Sequence, residues 1–287
     1  MKRRAGWWLV PAVCLALFAQ DSSQFVTEKV AVGYRFTEGP AWSKDGFLIF
    51  SDTPNDRLLK WVPGREAVVF REHSNGPAGN AFDEQGRLYT CETRTRRVTR
   101  TDKNGKIEVL AERWEGKRLN APTGIAVSKS GHVYFTDPAF GSQLDQRELD
   151  FYGVYHLPPR GPMEVVARPK GRPHGVALSP NGRTLYVSNA DDHNVRAYDL
   201  DRSGSSSNER VVISGIVGVP GGMAVDEKGN LWVAAKGIAI YSPQGKLLHT
   251  IESDAPVSSC ALDESSGTQY LYATSRANVY RIHPAEP

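Results

Sequence analysis

Six segments of the chain repeat one pattern of apolar and polar positions. Each has a short apolar strand, a polar turn that contains glycine, and a second strand rich in β-branched and aromatic residues. The segments are EGPAWSKDGFLIFSD (38–52), AGNAFDEQGRLYTCE (78–92), TGIAVSKSGHVYFTD (123–137), HGVALSPNGRTLYVSN (174–189), GGMAVDEKGNLWVAA (221–235) and SSCALDESSGTQYLYATS (258–275). Two further strands follow each segment except the last, so the repeat of roughly 40–50 residues with four strands predicts a β-propeller.

The count of strands also predicts how the ring closes. From Ser258 onward only three strands are available, CALD, YLYATS and NVYRIHP, whereas EKVAVGYRF (28–36) stands unpaired near the N-terminus. Pairing that segment beside NVYRIHP would complete the last blade and remove two exposed sheet edges. No segment has helical periodicity over a useful length. We therefore predict an all-β domain over residues 25–287, a six-bladed β-propeller with four antiparallel strands per blade.

The repeat places scattered polar residues at one end of the channel. The first strand of each blade lines the channel and the second runs back, so first-strand starts and second-strand ends share one face. The starts form an inner ring of Glu38, Ala78, Thr123, His174, Gly221 and Ser258. The ends form a wider ring of Asp52, Glu92, Asp137, Asn189, Ala235 and Ser275. This mouth is a candidate metal or substrate site, or a polar and hydrated opening without chemistry. The glycines that follow the inner ring are expected to allow close backbone approach near the axis.

The N-terminal residues are typical of a secretory signal peptide. Lys2, Arg3 and Arg4 precede an apolar stretch, Ala5–Ala19, which is followed by polar QDSSQ. This order predicts a signal peptide over residues 1–20 with cleavage near Ala19; the alternative is an uncleaved anchor. The mature domain is then expected to be periplasmic or secreted, with no membrane association beyond the signal peptide.

Charge and cysteine content limit the other classes of function. The formal net charge of +3 over 287 residues is small and interspersed, which argues against nucleic acid as a partner. Without the signal peptide the chain keeps Cys91 and Cys260, both in apolar strand patterns. Two buried free thiols are expected, although a disulfide is the alternative in an oxidising compartment.

Several motifs resemble one known family. TEGPAW, GRLYTCETRTRRVTR, EGKRLNAPTG, VYFTDPAFG, DFYGVYHL and LSPNGRTLYVSN are similar to the bacterial gluconolactonase branch of the regucalcin/gluconolactonase/luciferin-regenerating family. The resemblance covers nearly the whole mature chain. It implies a six-bladed propeller that hydrolyses sugar lactones and related esters, and hence a small-molecule lactone or sugar-like ligand as the partner.

The family's site residues match this sequence only in part. The resemblance implies a divalent cation on the channel axis, held by a Glu, an Asn and an Asp, with a further Asn on the substrate. Glu38 matches the Glu, but Thr123 stands in place of the substrate Asn and His174 in place of the ligand Asn. Gly221 replaces the Asp, which in the family also serves as general base. The scaffold therefore matches while the site differs.

The first hypothesis is a gluconolactonase-like hydrolase with metal-assisted attack of water at the mouth. Glu38 and His174 would hold a divalent cation, zinc-like or calcium, with Asp137 or Asn189 completing the shell. The imidazole in place of an oxygen ligand shifts the preference towards zinc-like or iron-like ions. The candidate bases are Asp137, Glu92 and Asp52. The candidate substrate-binding residues are Thr123, Asn120, Asn189 and Ser258. The insertion GSQLDQRELD (141–150) is expected to overhang the mouth and shape specificity.

The second hypothesis is a secreted, non-catalytic propeller that binds a small ligand and has lost the family's metal site. Ala78 and Gly221 favour it, since neither side chain contributes chemistry to the ring. A third hypothesis, an interaction scaffold that uses the outer surface, has no support beyond the fold.

Overall fold

The structure is a computed structural model that describes residues 24–263 and 269–285. The predicted signal peptide lies outside these residues. Within them, no helix is long and apolar enough to cross a membrane.

Six four-stranded antiparallel sheets account for almost all of the regular structure. Blade 1 consists of β2 (Thr37–Ser43), β3 (Phe47–Asp52), β4 (Arg57–Trp61) and β5 (Val68–Arg71). Blade 2 consists of β6 (Pro77–Phe82), β7 (Leu88–Glu92), β8 (Arg97–Thr101) and β9 (Ile107–Ala111). Blade 3 consists of β12 (Ile125–Val127), β13 (Val133–Asp137), β14 (Gly153–Leu157) and β15 (Glu164–Ala167). Blade 4 consists of β16 (Pro173–Leu178), β17 (Thr184–Asn189), β18 (Asn194–Leu200) and β19 (Ser206–Ile213). Blade 5 consists of β20 (Met223–Val225), β21 (Leu231–Ala234), β22 (Ile238–Tyr241) and β23 (Leu247–Ile251). Blade 6 consists of β24 (Ser259–Asp263), β25 (Tyr270–Ser275) and β26 (Asn278–Pro284), together with the N-terminal strand β1 (Phe25–Val32). A short hairpin, β10 (Arg113–Trp114) and β11 (Lys117–Arg118), joins blades 2 and 3. The predicted six-bladed propeller is confirmed.

The N-terminal strand closes the ring as predicted, but with different bounds. β1 pairs antiparallel with β26 from Phe25 opposite Pro284 to Val32 opposite Asn278. The strand therefore spans 25–32 rather than 28–36. It ends before Gly33, whose φ of +88° lies in the left-handed region and turns the chain out of the extended conformation.

Glycines allow the first strands to crowd together around the axis. A β carbon placed on Gly39, Gly79, Gly124 or Gly175 would lie only 2.1–2.3 Å from the carbonyl oxygen of the inner-ring residue in the next blade. No side chain larger than hydrogen fits at such a distance from a neighbouring backbone. The expected role of these glycines in close approach is confirmed.

Hydroxyl groups join three of the blades to the next one along the chain. Ser51 Oγ donates to the carbonyl of Ala78 at 2.7 Å, and Ser188 Oγ donates to the carbonyl of Gly221 at 2.7 Å. Thr136 Oγ1 does the same to the carbonyl of His174 at 2.6 Å. Each donor is the penultimate residue of a second strand. Because these bonds are buried between blades, they satisfy ring carbonyls that no sheet ladder reaches.

The apolar core lies between neighbouring blades. At the closure, the ring of Tyr272 stacks on Trp42 at 4.8 Å and meets Trp61 edge-on at 5.7 Å. Cys91 and Cys260 are buried and free, which confirms the expected pair of free thiols. Burial raises the pKa of the Cys260 thiol to about 12, so this sulfur stays protonated and unreactive.

The packing at the axis predicts a large effect of one added methyl group. Gly175→Ala should lower the free energy of unfolding by about 3 kcal/mol, because its β carbon would lie 2.3 Å from the Gly221 carbonyl oxygen. Gly33→Ala is the matched control, since its β carbon meets nothing within 4 Å and pays only the left-handed backbone cost of about 1–2 kcal/mol. Urea unfolding of both variants measures the difference. Equal losses would show that the axis is not closely packed.

Candidate active site

Two charged side chains from opposite blades meet on the channel axis. Nε2 of His174 in β16 lies 3.2 Å from Oε1 of Glu38 in β2, although 136 residues separate them in sequence. Blades 1 and 4 face each other in a ring of six, so side chains at equivalent ring positions converge. The side chains of Glu38 and His174 are 13% and 17% exposed, which leaves them reachable from solvent but poorly hydrated.

Both nitrogens of the His174 ring face oxygen acceptors. Nδ1 lies 3.1 Å from the carbonyl oxygen of Pro220, and Nε2 faces the carboxylate of Glu38. Burial alone would lower the pKa of His174, but the hydrogen bond and charge of Glu38, with the Pro220 carbonyl, outweigh it and raise that pKa. Because only the doubly protonated ring can donate to both oxygens, this geometry favours an imidazolium bound to a carboxylate.

The insertion after β13 lies beside this pair. Phe140 contacts the His174 ring with centroids 5.4 Å apart, and a short 3-10 turn over Gly141–Gln146 follows it directly. The guanidinium of Arg172 lies over the Phe140 ring, 4.8 Å from the ring centroid, and forms an ion pair with Asp191. The predicted position of the insertion, at the same mouth as Glu38 and His174, is confirmed.

An axial cavity of about 290 Å³ extends from the pair along the channel. First-strand residues of all six blades line it. Glu38 and His174 lie at one end, and Trp42, Phe82 and Leu178 line it farther along their strands. Such a volume is close to the lower limit for a small-molecule pocket.

The three candidate bases of the wider ring are buried and already bonded. The carboxylate of Asp52 accepts hydrogen bonds from the backbone of Arg35 and Phe36 and from the side chains of Asn55 and Arg57. None of its surface is exposed. It therefore fastens the segment that enters blade 1.

Asp137 does the same for blade 3. Its two oxygens accept the backbone N–H groups of Asn120 and Ala121, each at 2.8 Å. Burial raises the pKa of Asp137 to about 7, against these two hydrogen bonds and the charge of Arg96. Glu92 is 1% exposed and bonded to Arg97, Thr95 and Thr99.

A catalytic role for Asp52, Glu92 or Asp137 stays a prediction, and their contacts are those of structural groups. Each ends a second strand, one strand away from the axis, and turns its carboxylate towards its own blade. The structure therefore does not bring them together with Glu38 and His174.

The candidate substrate-binding residues are also engaged within the protein. Thr123 Oγ1 donates to the carbonyl of Ala121, and Ser258 Oγ donates to that of Thr37. The Asn120 amide donates to the carbonyls of Asp137 and Phe151, and Asn189 Oδ1 accepts the N–H groups of Asp191 and Asp192. Of these four residues, Thr123 and Ser258 belong to the inner ring. Contact of any of the four with a substrate stays a prediction.

The donor set does not fit a divalent metal centre. In the described part of the chain, no three His, Cys, Asp or Glu side chains lie close enough to hold one ion. Ala78 and Gly221 supply no side-chain donor to the ring, and the ring carbonyls of Ala78, His174 and Gly221 already accept hydroxyl groups. Two ligands remain where zinc sites use three or four and calcium sites six or more.

Three contacts of the site were not predicted from the sequence. The Pro220 carbonyl orients His174, and Phe140 and Arg172 form one wall of the mouth. A backbone acceptor leaves no mark in a sequence. Phe140 lay within the VYFTDPAFG motif, so its place immediately after a second-strand end was the available signal.

Comparison with known proteins gives a consistent result. The family model described as SMP-30/Gluconolactonase/LRE-like region matches residues 36–277. A gluconolactonase of Zymomonas mobilis is 32% identical over 89% of this chain and 80% of its own. A pentonolactonase of Haloferax volcanii is 27% identical over 73% of this chain and 69% of its own. The solved structure of a gluconolactonase of Xanthomonas campestris has a TM-score of 0.85 and 30% identity, with 92% of each chain covered.

The ion pair predicts a coupling between Glu38 and the proton on His174. In Glu38→Gln the pKa of His174 should fall, because the charge that raises it is lost. A raised histidine pKa stabilises the fold fully below the unfolded pKa of about 6.5, and this contribution disappears as the pH rises through the folded pKa. Wild type should therefore exceed Glu38→Gln in stability by about 2 kcal/mol near pH 6 and by less at pH 9. NMR titration of His174 and urea unfolding at both pH values measure the effects; an unchanged His174 pKa would contradict the ion pair.

Proposed function

The chain belongs to the SMP-30/gluconolactonase/LRE-like family, and from that membership we propose that it hydrolyses the cyclic ester of a sugar lactone at the Glu38–His174 mouth. The relatives named gluconolactonase and pentonolactonase support this class of substrate. The observation that carries the proposal is the meeting of a carboxyl group and an imidazole ring at the end of an axial cavity. A small polar ring with a carbonyl group fits such a position.

Glu38 is the group best placed to activate water. Its Oε1 accepts the proton of His174, while Oε2 has no hydrogen-bond partner among residues 24–263 and 269–285. A water bound at Oε2 would lie beside the axis, where the lactone carbonyl enters. Glu38 thus takes over the proton-accepting role that Gly221 cannot supply.

The proposed reaction proceeds in two steps. The water oxygen forms a bond to the lactone carbonyl carbon as Glu38 Oε2 accepts one of the water protons. The tetrahedral intermediate then breaks its ring C–O bond, and the leaving alkoxide takes that proton from Glu38. The products are the open-chain hydroxy acid and a regenerated carboxylate.

His174 contributes charge and orientation in this scheme. Its imidazolium holds Oε1 of Glu38 and is itself fixed by the Pro220 carbonyl. Its positive charge beside the axis opposes the negative charge that develops on the carbonyl oxygen. Because the mouth is poorly hydrated, this electrostatic effect is stronger than it would be in water.

No step of the scheme passes through a metal ion. Glu38 and His174 provide only two side chains that could ligate a metal, and the hydrogen bond between them occupies the place where a cation would bind. The family's metal-assisted route therefore does not fit the residues of this chain, and we expect the reaction to proceed without added cation.

The N-terminal sequence supports an exported enzyme. Lys2, Arg3 and Arg4 before the apolar stretch favour a signal peptide cleaved near Ala19. We therefore propose a periplasmic or secreted location. Mass spectrometry of the protein purified from its own cells should find a mature N-terminus near residue 20; an intact N-terminus in the cytoplasmic fraction would contradict this.

The lactonase proposal predicts selective loss of activity on removal of one charge. Purified protein should hydrolyse glucono-δ-lactone or a pentonolactone in a pH-stat assay, and EDTA should leave the rate within about twofold. Glu38→Gln should lower kcat at least about a hundredfold, since it removes the base. Glu66→Gln is the matched control, because it makes the same change of charge at an exposed turn.

Two outcomes would overturn parts of this proposal. A rate that EDTA abolishes and a divalent cation restores would reinstate metal assistance. A folded protein that binds lactones in calorimetry without hydrolysing any of them would establish the non-catalytic binding propeller instead.

The insertion predicts an effect on substrate affinity. Phe140→Ala removes the aromatic wall beside His174 and should raise KM about three- to tenfold, with a smaller change in kcat. Phe70→Ala provides the control, since Phe70 is a 42% exposed residue of the outer strand β5. Steady-state kinetics on one lactone would decide; a KM equal to that of wild type would remove Phe140 from the site.

A further inference from the structure

Blade 3 carries a second group of titratable side chains that the proposed reaction does not use. Tyr134, His156 and Glu164 are direct cross-strand neighbours in β13, β14 and β15, and His132 immediately precedes β13. His156 Nε2 lies 2.8 Å from His132 Nδ1, and His156 Nδ1 lies 3.3 Å from Glu164 Oε2. The three groups form a continuous relay from a carboxylate through two imidazoles.

The carboxylate fixes the position of every proton in the relay. When each ring carries one proton, Glu164 accepts from Nδ1 of His156, whose Nε2 then has a lone pair. That lone pair accepts from His132, whose proton is therefore also on Nδ1. Nε2 of His132 is left bare, and among the described residues it has no hydrogen-bond partner. Burial, together with the nearby His156, lowers the pKa of His132, which favours the neutral ring.

The surroundings of the relay are built to hold this geometry. His156 is 1% exposed and stacks on Tyr134, with ring centroids 4.8 Å apart. Tyr134 donates its hydroxyl to the carbonyl of Gly204 in blade 4. A β carbon on Gly204 would lie 2.6 Å from His132 Nδ1 and 2.7 Å from His156 Nε2, so this glycine covers the bond between the imidazoles.

The relay ends at a cavity of about 510 Å³. His132 lines it with Lys129, Arg183 and Arg202, whose side chains form no ion pair within the described ranges. Two carboxylates, Asp201 and Glu227, also line it, so the three cations exceed the anions by one charge. This small excess of positive charge lies beside the His132 ring.

This cavity is separate from the Glu38–His174 mouth. The turns before β13 and β17 border it, at the ends of the blades opposite to the inner ring. Val127, Leu178 and Val225 line both this cavity and the axial one, so the two adjoin at the rear of the channel. A ligand here would not contact Glu38 or His174.

We propose that the cavity is a second ligand site, which binds a small polyhydroxylated anion. Lys129, Arg183 and Arg202 bind the anionic group, and Nε2 of His132 accepts a hydrogen bond from a ligand hydroxyl. With one proton on each ring, the relay presents an unpaired acceptor to a cavity lined by three cations, an arrangement that a hydroxylated anion satisfies.

Calorimetry and NMR on the full chain can test this site. The probes are gluconate, glucose 6-phosphate, inorganic phosphate and glucose. The first two carry both an anionic group and hydroxyls, so at least one should bind and shift the His132 ring resonances; the stronger of the two identifies a carboxylate or a phosphate ligand. Inorganic phosphate and glucose, which each lack one feature, should bind at least about tenfold more weakly.

Variants separate this site from the mouth. Arg183→Gln combined with Arg202→Gln should weaken binding at least about tenfold, whereas Arg65→Gln combined with Lys246→Gln, which removes two exposed charges elsewhere, should not. His132→Gln should weaken binding without lowering the thermal midpoint by more than a few degrees. Binding should be the same in Glu38→Gln as in wild type, because that substitution alters the mouth and leaves this cavity unchanged. The site is disproved if no probe shifts His132, or if the double arginine variant binds like its control.

Discussion

The close approach of six first strands around one axis is the constraint on which the rest of the structure depends. Four of the glycines that follow the inner ring, Gly39, Gly79, Gly124 and Gly175, lie against the carbonyl of the next blade, where an added β carbon would be 2.1–2.3 Å from oxygen. Hydroxyl groups of Ser51, Thr136 and Ser188 then satisfy those carbonyls. Since buried backbone groups must be bonded, crowding and hydrogen bonding together set the radius of the channel.

That radius determines the chemistry available at the mouth. Side chains from blades 1 and 4 reach each other only because the ring is narrow, and the small residues Ala78 and Gly221 leave the intervening space to them. A carboxylate and an imidazole held at 3.2 Å in a poorly hydrated position bind a proton firmly. The same closeness engages the ring carbonyls with neighbouring blades, so they do not add ligands for a cation.

Blade 3 differs from its neighbours at both ends. At the mouth it supplies the insertion and Phe140. At the opposite end it supplies the relay of Glu164, His156 and His132. Burying the His156 imidazole costs free energy that an apolar side chain would not, which distinguishes this blade from one selected for packing alone. The axial channel connects the two ends through the residues that line both cavities.

The sequence by itself determined the fold class, the number of blades and the closure by an N-terminal strand, because the alternation of apolar strands and glycine turns is a local property repeated six times. It also predicted that Glu38 and His174 meet, since equivalent positions in a six-fold ring are geometrically related. It gave the wrong bounds for β1, and it assigned chemistry to Asp52, Glu92 and Asp137 from their positions on the correct face. Only the tertiary structure decided which way those carboxylates turn and which partners enclose them. It alone revealed the Pro220 acceptor and the relay in blade 3, because such contacts join residues whose relation depends on the packing of neighbouring blades rather than on any local pattern.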